Sequence, residues 1–195
     1  MNDPAPLAED PAELIATPTP APSREMVTMG FQSGAGFDQL QRVAKCFAAS
    51  TMVPKEFVGN VANCIIALNM AQRLGRDPLM VMQSLFIVNG RPGWSAQFLI
   101  ALFNDHGAFS PIRWRECGSL DDIDSMGAVA FTFDSQGECL ESAEVNIAMA
   151  KAEGWFGKNG SKWPTMPRQM LRYRSATMLI KAFAPGIAFG LDIDE

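Results

Sequence analysis

Histidine occurs once in this chain, at His106, and the four cysteines, Cys46, Cys64, Cys117 and Cys139, lie far apart. A zinc site calls for closely spaced ligand pairs and a redox dithiol for a Cys-x-x-Cys motif, so neither chemistry is indicated. The thiols are expected to be reduced and buried. His106 has no second ligand or nucleophile near it and falls at the expected end of a helix, where the helix dipole favours a cation, so it reads as structural. No apolar run approaches the roughly 18 to 20 residues that span a bilayer, and the N-terminus has no basic region followed by an apolar run. Those absences favour the cytoplasm and no membrane partner. Cations are also in deficit: 16 Lys and Arg stand against 21 Asp and Glu, for a net charge of −5. That balance by itself argues against a nucleic-acid partner.

The distribution of charge says more than its sum. Between Lys151 and Lys181 there are seven cations and one anion, Glu153, so this segment carries +6 and the remainder −11. Within it, Trp155, Phe156, Trp163 and Tyr173 interleave with Lys158, Lys162, Arg168, Arg172 and Arg174. Rings that stack on bases among cations that meet phosphates are what a single-stranded nucleic-acid surface uses. The same rings can instead pack a helix onto a core, and the same cations can pair with the acidic body.

At 195 residues with 48% hydrophobic content, the chain suits one domain plus a tail. Residues 1 to 35 hold six of the thirteen prolines, with acidic residues and a Gly-rich end, and are expected to be a disordered arm, either an inert linker or a partner-binding tail. The remainder, 36–195, reads as a single α+β domain. Helical spacing of Phe37, Leu40, Val43, Ala44 and Phe47 predicts a helix over Phe37–Ala49, and a second is expected from near Pro54 to Gly75. Asp77-Pro78 opens a third, and the Met residues around it read as gap-filling core. The strand Leu85–Val88, Asn89-Gly90 and the return to Trp94 form a hairpin whose second strand, with Pro92, is an edge. Arg91 and Trp94 there are either an aromatic–cation pair or a packing ring beside a solvated Arg. Ser95 caps a helix to Asp105.

Strands are then expected over Ser110–Arg115, Ala128–Phe133 and Cys139–Val145, an antiparallel meander with a turn at Asp134–Gly137. A short helix, Asn146–Glu153, carries Lys151. Gly154, Gly157 and Gly160 predict a flexible loop bearing Lys158 and Lys162. Thr165 as cap and Pro167 in the first turn then start a helix running to Phe183. Its first half presents Arg168 and Arg172 on one face and Arg174 on another; its apolar second half is anchored. Exposed N–H groups and guanidiniums at a helix start suit a phosphate. Asp121, Asp122 and Asp124 could bind a divalent ion, which sets a metal-dependent nuclease among the alternatives. A non-catalytic phage assembly or adaptor protein, its basic helix meeting an acidic partner, is another.

The run Trp163-Pro164-Thr165-Met166-Pro167-Arg168-Gln169-Met170-Leu171-Arg172-Tyr173-Arg174, followed by an apolar helix and Phe189-Gly190, resembles the phage single-strand annealing recombinases of the Bet and RecT type. Ile65–Gly75, Asp77-Pro78, Phe86–Val88, Gly93-Trp94-Ser95 and Phe98–Ala101 follow the family's order, and the likeness extends from about Phe37 to Asp192. The resemblance implies an α+β core in which a β-hairpin and a small antiparallel sheet pack with helices. It implies a non-enzyme in the bacterial host cytoplasm that coats single-stranded DNA, forms rings or helical filaments, and anneals complementary strands through a duplex intermediate, with no cofactor and any Mg2+ dependence left open. By motif position Lys158, Lys162, Arg168, Arg172 and Arg174 would contact the DNA backbone, with Trp163 or Trp155 supporting the groove and Arg91 its other wall, and Lys151 counts among the DNA-binding residues. Relatives continue beyond the Phe-Gly element into a region that contacts a phage exonuclease or a host single-strand binding protein, whereas this sequence stops at Glu195. It is thus expected to be a short form or a core, and its acidity implies binding confined to a narrow groove.

Overall fold

The computed structural model describes residues 28–88, 90–119 and 121–188, over which the chain is α+β. The helices are α1 Gly34–Ala48, α2 Val61–Leu74, α3 Pro78–Ser84, α4 Ala96–Asp105, α5 Ile147–Ala152 and α6 Pro167–Phe183. The strands are β1 Leu85–Val88, β2 Arg91–Trp94, β3 Arg113–Cys117, β4 Gly127–Phe133, β5 Cys139–Glu141 and β6 Val145–Asn146. Most of the Pro-rich arm, Asn89 of the hairpin turn, and the segment from Phe189-Gly190 to Asp192 lie outside the described residues.

Short polar side chains start five of these helices. Ser33, Asn60, Asp77, Ser95 and Asn146 each accept a backbone N–H from the first turn, a cap worth typically ~1 kcal/mol. Two of these caps, and the lack of one at α6, move expected boundaries. Because Ser33 Oγ accepts the Gly36 N–H at 3.0 Å, α1 begins at Gly34, inside the Gly-rich stretch expected to belong to the arm. Pro54 opens no helix; Pro54 to Gly59 turn on themselves, with Phe57 N–H donating to Pro54 O at 2.9 Å, and α2 waits for Asn60. Thr165 does not cap α6, since its hydroxyl turns back to Lys162 O at 3.3 Å; Met166 holds the cap position without a side-chain bond.

The β1–β2 hairpin is a two-stranded sheet of its own, with Pro92 opposite Ile87. Trp94 is a packing ring, 1% exposed, 4.9 Å from the Phe98 ring, its indole N–H donating to Ala188 O at 3.2 Å. Arg91 is exposed at the turn end of the same strand, so the two make no aromatic–cation pair.

In the second sheet β3 and β5 flank β4 antiparallel, and β6 pairs β4 on the β5 side. The expected single strand Cys139–Val145 is therefore divided. At the break Ser142 N–H donates to Ala130 O at 2.8 Å, while the Ala130 N–H goes to Ser142 Oγ at 3.0 Å in place of a carbonyl. The first strand starts at Arg113 because Ser110 is used otherwise, its Oγ accepting the Phe133 N–H at 2.9 Å.

Helix α6 crosses one face of this sheet and joins two hydrophobic clusters. The larger packs α1 to α4 against its C-terminal half through Leu40, Phe57, Leu99, Phe103, Leu179 and Ile180. The smaller gathers Val145, Ile147, Ala150 and Trp163 around Met170 and Leu171 of its N-terminal half. Both halves are anchored; the charged side of the first half faces outward, as do Lys181 and Phe183 at the C-terminal end. The cysteines depart from expectation: Cys64 alone is buried, Cys46 and Cys139 are exposed, and Cys117 lies between.

Candidate nucleic-acid interface

The glycine-bearing connection between α5 and α6 is tied down rather than loose. Trp155 and Phe156 N–H groups both donate to Ala150 O, at 2.9 and 3.2 Å, and Ser161 Oγ donates to Trp155 O at 2.8 Å. Met166 N–H then donates to Lys162 O at 2.7 Å. Trp163, 3% exposed, sinks into the smaller cluster with its ring 5.7 Å from that of Trp155. Trp163 therefore cannot stack on a base; burial of its ring is what shapes the loop. Tyr173 is likewise structural, its Oη accepting from Gln97 Nε2 at 2.6 Å and linking α6 to α4.

The cations divide into two groups. Arg174 lies inward, its guanidinium 4.0 Å from the centre of the Trp155 ring, with Nε buried and without a hydrogen-bond partner. It supports the loop instead of facing out with the other arginines. Lys151, Lys158, Lys162, Arg168 and Arg172 are exposed. Lys151 pairs with Asp124 and lies 5.5 Å from the Phe156 ring. Arg172 Nη2 is 2.6 Å from Glu116 Oε1 and Arg168 Nη1 is 3.9 Å from Glu116 Oε2, so two guanidiniums one helical turn apart converge on the two oxygens of one carboxylate.

Sequence reasoning missed Glu116. It is 56 residues from Arg172, and only strand alternation hints that it shares a face with Trp114, whose indole N–H donates to Arg172 O at 2.8 Å. Beside it, Gly118 brings the β3–β4 connection against the turn at Ile123–Ser125. Its φ is +81°, and a Cβ there would lie 1.9 Å from Ser125 O, so only glycine fits.

Asp121, Asp122 and Asp124 are not gathered into a ligand set. Asp122 Oδ1 accepts the Asp124 N–H at 3.1 Å, Asp124 pairs with Lys151, and among the described residues no three His, Cys, Asp or Glu could hold a metal ion. Nor is any helix among them long and apolar enough to cross a membrane. Arg91, on the hairpin, is exposed.

No family model, curated protein or solved structure matches this chain at a significant level.

Proposed function

We propose that this chain binds single-stranded DNA along the loop and the start of α6 and anneals complementary strands without hydrolysing nucleotide, as an oligomer. The observation that carries the reading is the convergence of Arg168 and Arg172 on one oxyanion, with exposed Lys158 and Lys162 leading into the same helix. Guanidiniums held to accept an anion from two sides suit a phosphate as well as a carboxylate. The Trp163–Arg174 resemblance to the annealing recombinases points the same way and supplies strand pairing as the outcome.

In this mechanism DNA phosphates take the place of Glu116. The exchange costs little, because the side chains of Arg172 and Glu116 are 45% and 41% exposed and an exposed ion pair contributes only about 0–1 kcal/mol. The smaller hydrophobic cluster keeps the loop and helix start in register while the backbone is captured. Trp163 is packed away, so the bases are left to test complementarity with a second strand. Charge reversal, Arg168→Glu with Arg172→Glu, should abolish annealing of two labelled complementary oligonucleotides while leaving the circular dichroism spectrum unchanged. Annealing at the wild-type rate by a folded double variant would refute the site.

The Arg168–Glu116–Arg172 arrangement also favours one second reading, an adaptor whose basic helix meets carboxylates of an acidic partner protein. Oligomerisation retained with no binding to single-stranded DNA at low salt would select it.

A further inference from the structure

Alternation along β3 and β4 sends Trp114, Glu116, Ala128, Ala130 and Thr132 toward α6 and leaves a second face of the sheet outside. On that outer face Phe131 and Phe133 stand two residues apart on the central strand, their rings edge to face at 6.1 Å. Phe133 is 42% exposed, Phe131 is partly exposed, and neither belongs to a core cluster. Arg113 is directly across from Phe131 on the edge strand β3, which puts their Cβ atoms about 5 Å apart.

The other charges here are already matched. Arg115 grips Glu141 with two bonds, at 3.0 and 2.8 Å, and the pair bridges over β4 from β3 to β5 beside buried Val129. Hydrogen bonding to Arg115 holds the Glu141 carboxyl below its usual range, as expected of a satisfied pair. Arg113 has no such arrangement: its side chain has no ion pair or hydrogen bond among the described residues, although it is exposed across from the partly exposed Phe131 ring. A second protein surface covering this face would have to bring a carboxylate for Arg113. A nucleic-acid strand brings aromatic faces and the anion together.

We infer that the outer face of the β3–β4–β5 sheet binds a short single-stranded nucleic-acid segment, with bases stacking on Phe131 and Phe133 and a phosphate meeting Arg113. The backbone runs along the β3 edge, away from the acids of the turn that follows Phe133, where Asp134 Oδ1 is occupied by the N–H groups of Gln136 and Glu138. The site lies across the sheet from Glu116 and does not depend on the α6 reading.

The test is photocross-linking of the whole chain to oligo-dT and oligo-U strands carrying 5-iodouracil, with the attached residue mapped by mass spectrometry. Attachment at Phe131 or Phe133 in either arm supports the site, and the stronger arm identifies the preferred sugar. Attachment confined to residues 155–174, or none in either arm, overturns it. In fluorescence anisotropy, Phe131→Ala with Phe133→Ala should weaken binding by about tenfold or more, whereas Phe183→Ala, an exposed ring on α6, should not. Loss of self-association by the double variant with oligonucleotide affinity intact would make this face a protein interface and refute the proposal.

Discussion

Glu116 is the residue on which the candidate site turns, because it neutralises Arg168 and Arg172 from a strand far away in sequence. If phosphate replaces it, Glu116→Gln should strengthen single-stranded DNA binding by about two- to fivefold at low salt, the equivalent of one exposed ion pair. Anisotropy titration measures this, and weaker binding would mean that the carboxylate positions the arginines for the strand. Trp163 makes the contrasting case. With its ring inside the smaller cluster, Trp163→Ala should lower unfolding stability by about 3–5 kcal/mol, and denaturant titration should show the loss before any DNA is added. Cys64 gives a third expectation. Burial pushes its thiol pKa up, so a thiol reagent at neutral pH should modify exposed Cys46 and Cys139 quickly and Cys64 only on unfolding. At this scale the sequence showed that the cations cluster but left each ring's role open, since stacking and packing use the same side chains.

At the scale of elements, helix α4 and the β1–β2 hairpin keep the limits their caps and turn dictate. The misplaced boundaries are those of α1, α2, α6 and β3, together with the division of the third strand of the meander. Each follows from one local bond, such as the Ser142 Oγ bond that interrupts the ladder at Ala130. The loop before α6 shows the limit most clearly. Three glycines read as flexibility, yet Trp163 burial and the bonds to Ala150 O fasten it. The β3–β4 connection gives an expected outcome of the same kind. Gly118 and Gly137 both have φ +81°, but only at Gly118 does an added Cβ meet backbone. Gly118→Ala should therefore lower the melting temperature clearly more than Gly137→Ala, and equal shifts would show that the close approach to Ser125 is not maintained in solution.

For the whole molecule, a net charge of −5 includes a segment of +6, and part of the acidic remainder folds back onto that basic face. Glu116 and Asp124 come from the β3–β4 region and reach Arg168, Arg172 and Lys151. On the proposed function, long-range attraction of a strand would therefore be weak, and capture would rest on short-range exchange of partners. With Lys158, Lys162, Arg168 and Arg172 each meeting one phosphate, the plot of log affinity against log salt should fall with a slope of about −3. A slope near zero would place binding elsewhere on the molecule.

The sequence by itself determined the α+β class, the capped helices, the hairpin and the clustering of cations between Lys151 and Lys181. These are set by spacing, capping and composition over a few residues. Only the tertiary structure decided which cations face outward, that Trp163 is core, and that Glu116 lies between two arginines. Those outcomes depend on strand pairing and on which faces α6 covers. Such contacts join residues from different elements, in the case of Glu116 and Arg172 56 positions apart, and no local pattern encodes them.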